Sequence, residues 1–134
     1  MTRLLLVSHE GVARAMCEVA ATILDRPVEA GVVAVAPTDD ADEVLEQIGR
    51  EVTWLCADDP PLVLTDLPGA TPHNLALSAV RQFCPAAPVL SGLNLPMLLR
   101  ALGHLDLPAD ELAARVAEGG RAAVLIAGAD GDGG

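Results

Sequence analysis

LLLVSHEG, Leu4 to Gly11, is an apolar run that ends in a histidine and passes straight into helical spacing. Four consecutive apolar residues, Leu4 to Val7, suit a strand buried on both faces. The pattern from Gly11 onward is helical, so His9 falls on a strand-to-helix turn. In open α/β sheets ligands collect beyond the carboxyl ends of the strands, and the free N–H groups of a following helix favour anions there. His9 is therefore the first candidate for chemistry, with an anion site beside it.

Downstream, a first helix begins at Glu10 or Gly11 and runs to about Leu24, with Val12, Met16, Val19 or Ala20, and Ile23 as its apolar stripe. Pro27 closes it, and Gly31 to Ala36, GVVAVA, reads as a second buried strand. Thr38 to Asp42, TDDAD, places short polar and acidic side chains where they cap a helix and complement its dipole. The helix that follows buries Val44, Leu45, Ile48, Val52 and Leu55. Asp39, Asp40, Asp42 and Glu43 lack a calcium-loop pattern and read as its solvated face rather than a metal site.

After Pro60-Pro61, Leu62 to Thr65 is a third strand ending at Asp66, which repeats the layout of the first: an apolar run with an ionisable residue at its end. The loop Leu67 to Thr71, LPGAT, leads to Thr71-Pro72 as N-cap and first helical proline. This third helix reaches about Phe83 and buries Leu75 or Ala76, Ala79, Val80 and Phe83. Val89 to Ser91 begins a fourth strand, and Leu95 to Leu102 a helix opening with Pro96. A helix from about Ala109 to Glu118 is closed by Gly119-Gly120, Arg121 to Ala127, RAAVLIA, is a final strand, and GADGDGG is a frayed tail. Strands alternating with helices imply right-handed crossovers and a mainly parallel sheet. The expectation is one three-layer α/β domain over residues 1–134, with 128–134 a flexible tail.

Composition narrows the function. With 134 residues, 51% of them hydrophobic, the chain can bury a real core. Phe83 and Trp54 are its only large rings, which leaves no stacking platform for bases, and a net charge of −11 repels nucleic acid and anionic membranes. The first apolar run is too short for a signal peptide or a membrane span, so a cytoplasmic protein is expected. Cys17, Cys56 and Cys84 are odd in number and lack C-x-x-C spacing, and read as small core hydrophobes.

Three strings together, VSHEG at Val7 to Gly11, TDLPGATPHN at Thr65 to Asn74 and GLNLPMLL at Gly92 to Leu99, resemble the IIA component of the mannose family of the bacterial sugar phosphotransferase system. The resemblance covers most of the chain. The family's middle motif often reads D-x-x-G-G-S-P-x-N, whereas here it is D-L-P-G-A-T-P-H-N, a form similar to the branch found where the phosphotransferase system is mainly regulatory. The resemblance implies a strand order 2-1-3-4, which would bring His9 and Asp66 together at a switch point. It also implies a homodimer in which the last strand, Arg121 to Ala127, packs antiparallel on the sheet edge; an exposed apolar edge strand is a liability that pairing removes.

On that reading His9 carries a phosphoryl group and Asp66 accepts the N–H of its other nitrogen, which sets the tautomer and stabilises developing charge. Backbone N–H groups at the start of the first helix and over Gly69, Ala70 and Thr71, with the Thr71 hydroxyl, would cradle the phosphoryl oxygens. No metal or other cofactor is implied. His73 reads as a surface residue near the site, His104 as a helix-end cation, and Asn94, Pro96 and Met97 as site rim and partner surface. The implied function is a phosphotransferase component that takes its phosphoryl group from an HPr-like phosphocarrier and passes it to a IIB component. Two alternatives stand beside it. One is a regulatory module that signals by its phosphorylation state, favoured by the G-A-T-P variant and by the expected lack of a fused IIB domain or linker after Gly134. The other is a phosphocarrier subunit for a dihydroxyacetone kinase. A serine or cysteine hydrolase is disfavoured, since neither residue sits at a strand-end elbow.

Overall fold

The computed structural model describes residues 1–128. In chain order it contains β1 (Leu4–His9), α1 (Val12–Leu24), β2 (Gly31–Val35), α2 (Ala41–Leu55), β3 (Leu62–Thr65), α3 (Thr71–Phe83), β4 (Val89–Leu90), α4 (Leu95–Leu102) and α5 (Ala109–Ala122). The sheet is parallel throughout, in the order β2-β1-β3-β4. Successive side chains of a strand face opposite ways, and here each face finds its own helices. Leu5, Val7, Val33, Val35 and Val63 pack with α2 and α3, whereas Leu4, Leu6, Leu62 and Leu64 pack with α1, α4 and α5. The central strands are hence apolar from Leu4 to Val7 and from Leu62 to Leu64, as a parallel sheet covered on both sides requires.

Local chemistry sets the start of α2. Asp40 caps α2, its carboxylate accepting from the N–H groups of Asp42 and Glu43. The apolar stripe of α2 is as expected, with Val44, Ile48, Val52 and Leu55 buried. In α1 the expected Ala20 is buried and Met16 packs against the core, but Ala13 is buried too, while Val19 and Ile23 are exposed. Alanines let this short helix lie close to the sheet, and proximity rather than side-chain size decides which face turns inward. β2 is an edge strand buried on one face only, with Val33 and Val35 inside and Val32 and Ala34 outside. No helix of the described residues is long and apolar enough to cross a membrane.

The end of the chain departs from expectation. Gly119 and Gly120 do not stop α5, which continues to Ala122. They are where α5 meets α4: a Cβ on Gly119 would stand 2.9 Å from Arg100 Nε, and one on Gly120 would run into the Met97 side chain. The expected strand Arg121 to Ala127 is absent. Arg121 and Ala122 are helical, residues 123–127 pair with no strand, and Val124, Leu125 and Ile126 are 78%, 65% and 82% exposed. An extended segment becomes a strand only against a partner edge, and among the described residues the segment has none. Most of the expected tail, residues 129–134, lies outside the described residues.

The cysteine reading is also corrected. Cys56 and Cys84, the C-caps of α2 and α3, form a disulfide, and Cys17 is free. α2 and α3 run together along one face of the sheet, and their ends bring together two cysteines 28 residues apart in sequence. The spacing carries no motif that could have announced the pair.

Candidate active site

β1 and β3 pair in parallel with Val7 opposite Thr65, so His9 and Asp66 leave the sheet side by side at its carboxyl edge. One carboxylate oxygen, Asp66 Oδ2, accepts from the His9 main-chain N–H at 3.0 Å and lies 2.7 Å from His9 Nδ1. Around it the His9 backbone is fixed on every side. The Ser8 hydroxyl donates to the His9 carbonyl and accepts from the Ala13 N–H, tying the end of β1 to the first turn of α1. The Glu10 N–H donates to the Val35 carbonyl on β2. Gly11 makes the turn with φ +91°, a conformation that costs a residue with a Cβ.

The ring itself is open, 45% exposed, against 11% for the Asp66 side chain. Burial pushes the Asp66 carboxyl up. The hydrogen bonds from the His9 main chain and ring, together with the His9 charge, outweigh it and hold the group below the usual carboxylate range. An ionised carboxylate can only accept. The neutral imidazole therefore carries its proton on Nδ1, which leaves the Nε2 lone pair bare. The second oxygen, Asp66 Oδ1, is buried without a hydrogen-bond partner among the described residues.

On the other side of the site the loop 67–70 turns into α3. Gly69 has φ +81°, Asn74 Nδ2 donates to its carbonyl at 3.0 Å, and the Ala70 N–H turns back to the Leu67 carbonyl. The expected N-cap, Thr71, is instead the first helical residue; Ala70 occupies the cap and offers no side-chain bond. Among the described residues the main-chain N–H groups of Gly69, Thr71 and His73 make no backbone bond, and they start a helix whose dipole favours an anion. Ala70, expected in the cradle, spends its N–H within the turn.

The expected rim residues fall in different places. Asn94 is the N-cap of α4, its Oδ1 accepting from the Met97 N–H at 2.9 Å and its Nδ2 reaching the Gly120 carbonyl. Met97 is buried at 4% against Gly120, so it presents nothing to a partner, while Pro96 is exposed. His73 is half-buried rather than on the surface, its Nδ1 2.7 Å from the Thr65 hydroxyl. Sequence reasoning missed Ser8, Thr65 and Asn74. Each is a polar residue flanking a motif residue, and the hydroxyl at the inward position of a buried strand was the signal available for Thr65.

Residues 3–117 match the model of the family described as EIIA-man, PTS system fructose IIA component. The chain belongs to this family. Among solved structures it is similar to the mannose/sorbose specific IIA subunit of the phosphotransferase system from Enterococcus faecalis, with 29% identity, a TM-score of 0.85 and 94% of each chain covered. It shares the fold of phosphotransferase system component EIIA from Streptococcus agalactiae, at 22% identity and TM-score 0.79 over 94% of this chain and 97% of that one. The same holds for the PTS IIA protein associated with the fucose utilization operon from Streptococcus pneumoniae, at 20% identity and TM-score 0.78 over 94% and 96%. None of the curated proteins compared matches the chain. As a IIA component of the phosphotransferase system it has a role in phosphoryl transfer, and its α/β fold matches that of the similar IIA structures.

Proposed function

We propose that this IIA component is a phosphohistidine carrier, taking a phosphoryl group on His9 from an HPr-like donor and passing it to a IIB component in the cytoplasm. The observation that carries the reading is the bond of Asp66 Oδ2 to His9 Nδ1, which leaves Nε2 as a bare, half-exposed nucleophile. In the forward step the Nε2 lone pair attacks the phosphorus of the donor's phosphohistidine. The donor's P–N bond breaks, and its electron pair returns to the donor imidazole. His9 then bears the phosphoryl group as a cationic ring, and the adjacent Asp66 carboxylate stabilises that charge. The N–H groups of Gly69 and Thr71, at the positive end of the α3 dipole, favour the phosphoryl oxygens.

The exposed apolar run Val124-Leu125-Ile126 supports a second element of the reading, a homodimer in which this segment gains the strand partner it lacks among the described residues. The central experiment incubates the protein with enzyme I, HPr and labelled phosphoenolpyruvate and compares the wild type with His9→Ala. Acid-labile label on the wild type that disappears in the variant is expected. No label on the wild type, with the donor chain active on a control IIA protein, overturns the proposal.

A further inference from the structure

The second histidine at this end of the sheet has its own orienting partner. Thr65 is fully buried, and among the described residues its hydroxyl has one hydrogen-bond partner, His73 Nδ1 at 2.7 Å. A buried hydroxyl proton without an acceptor is costly, so the hydroxyl donates and Nδ1 accepts. His73 is then neutral with its proton on Nε2, the opposite tautomer to His9. The two arrangements follow from the partners: a carboxylate that can only accept on His9, and a hydroxyl whose proton needs an acceptor on His73.

The bond ties the end of β3 to the first turn of α3, two elements that otherwise meet through apolar packing further along the helix. Thr65 immediately precedes Asp66, and its carbonyl is held by the Leu93 N–H. His73 lies in the first turn of α3, whose cap residue Ala70 offers no side-chain bond. Two successive residues thus do the tethering. Asn74 holds the loop to the helix through the Gly69 carbonyl, and His73 holds the helix to the strand through Thr65. We propose that His73 is a positioning residue for phosphoryl transfer: by accepting the Thr65 hydroxyl proton it fixes the start of α3, with the Gly69 and Thr71 N–H groups, against the strand end that carries Asp66.

This role rests on the phosphocarrier reading, and the test separates the two. Single-turnover phosphorylation of His9 by phospho-HPr is followed over a range of donor concentrations in wild type, His73→Ala, Thr65→Val and His73→Asn. Displacing donors by about 1 Å can cost as much as about 100-fold. His73→Ala and Thr65→Val are expected to slow the maximal rate about tenfold or more, with the half-saturating donor concentration within about twofold of wild type. Asn can place its amide oxygen where Nδ1 stands, so His73→Asn is expected to restore the rate to within about threefold. Ring nitrogen NMR of the wild type supplies a readout independent of variant folding: His73 shows a protonated Nε2 and His9 a protonated Nδ1. A wild-type rate in His73→Ala, a failure of Asn to rescue a folded protein, an effect confined to the half-saturating concentration, or a protonated Nδ1 on neutral His73 each overturn the role. An unlabelled wild type instead removes the phosphocarrier reading, and this role with it.

Discussion

Replacing Asp66 with Asn keeps the size of the side chain and removes its charge, and neither orientation of the new amide fits. With the amide oxygen at the Oδ2 position, the two donations from His9 survive, but they lose their ionic acceptor. The NH2 group then occupies the place of Oδ1, which is buried without a partner. With the amide turned over, NH2 faces the His9 main-chain N–H and Nδ1, and the imidazole must move its proton to Nε2 and surrender its nucleophilic lone pair. The rate effect can be sized from the contact of 2.7 Å between Oδ2 and Nδ1. It sets the charge centres about 4 Å apart, which is worth about 4 kcal/mol at an effective dielectric of about 20. The ring is 45% exposed, and solvent screening reduces this figure. A loss of about 10- to 100-fold in the rate of His9 phosphorylation is expected. Rapid-quench measurement of label transfer from phospho-HPr is the assay, with thermal unfolding as a check that the variant is folded. A folded Asp66→Asn protein phosphorylated within threefold of wild type would refute the assignment of Asp66 as the group that orients and stabilises His9.

Other consequences concern stability. Because the Asp66 carboxyl is held below its ordinary range, its contribution is fully present above the unfolded value of about 3.9 and is lost as pH falls through the lower folded value; urea unfolding should show the wild-type advantage over Asp66→Asn shrinking as pH falls below about 4. A Cβ on Gly49 would sit 2.7 Å from Phe83 Cε2, so Gly49→Ala should destabilise by about 1–3 kcal/mol through overpacking of α2 on α3, and an unchanged melting temperature would contradict the close contact. The Cys56–Cys84 disulfide spans 28 residues, for which loop closure in the unfolded chain predicts about 3–4 kcal/mol; adding reductant should lower the urea midpoint accordingly, and a midpoint indifferent to reductant would show that the bond adds nothing in solution.

The parts of this molecule legible in its sequence are those fixed by neighbours along the chain. β1 and β3 were readable because strands covered on both faces are apolar without interruption, and each ends in the ionisable residue that the site uses. The start of α2 was readable because Asp40 satisfies the N–H groups of Asp42 and Glu43 two and three residues away. The stripe of α1 was so only in part, at Met16 and Ala20. Val19 and Ile23 have the right spacing, but which face of a helix turns inward depends on how closely its small residues approach the sheet, and periodicity carries no distance. The Cys56–Cys84 pair and the Thr65–His73 bond were invisible for the same reason, since each joins elements whose relative placement exists only after the sheet has formed.

The segment after Glu118 was misread because one composition serves two roles. A Gly-Gly pair following a polar helix signals a stop when the helix ends in solvent. Here it lies at the crossing of α5 on α4, where a side chain at Gly119 would meet Arg100 and one at Gly120 would meet Met97. Absence of a Cβ is needed in both cases, and the tertiary contact decides between them. Val124, Leu125 and Ile126 carry the opposite ambiguity. Their β-propensity is real, yet strand pairing is a property of two segments, and every other strand in the sheet has its partner within the chain. A second copy would supply the missing edge, so the expected change is concentration-dependent: sedimentation should give a dimer for the wild type and a shift toward monomer when Leu125 and Ile126 are replaced by Ser. A wild type that stays monomeric at high micromolar concentration would leave three exposed apolar side chains without a dimer to cover them and would refute the assignment of this run as an interface strand.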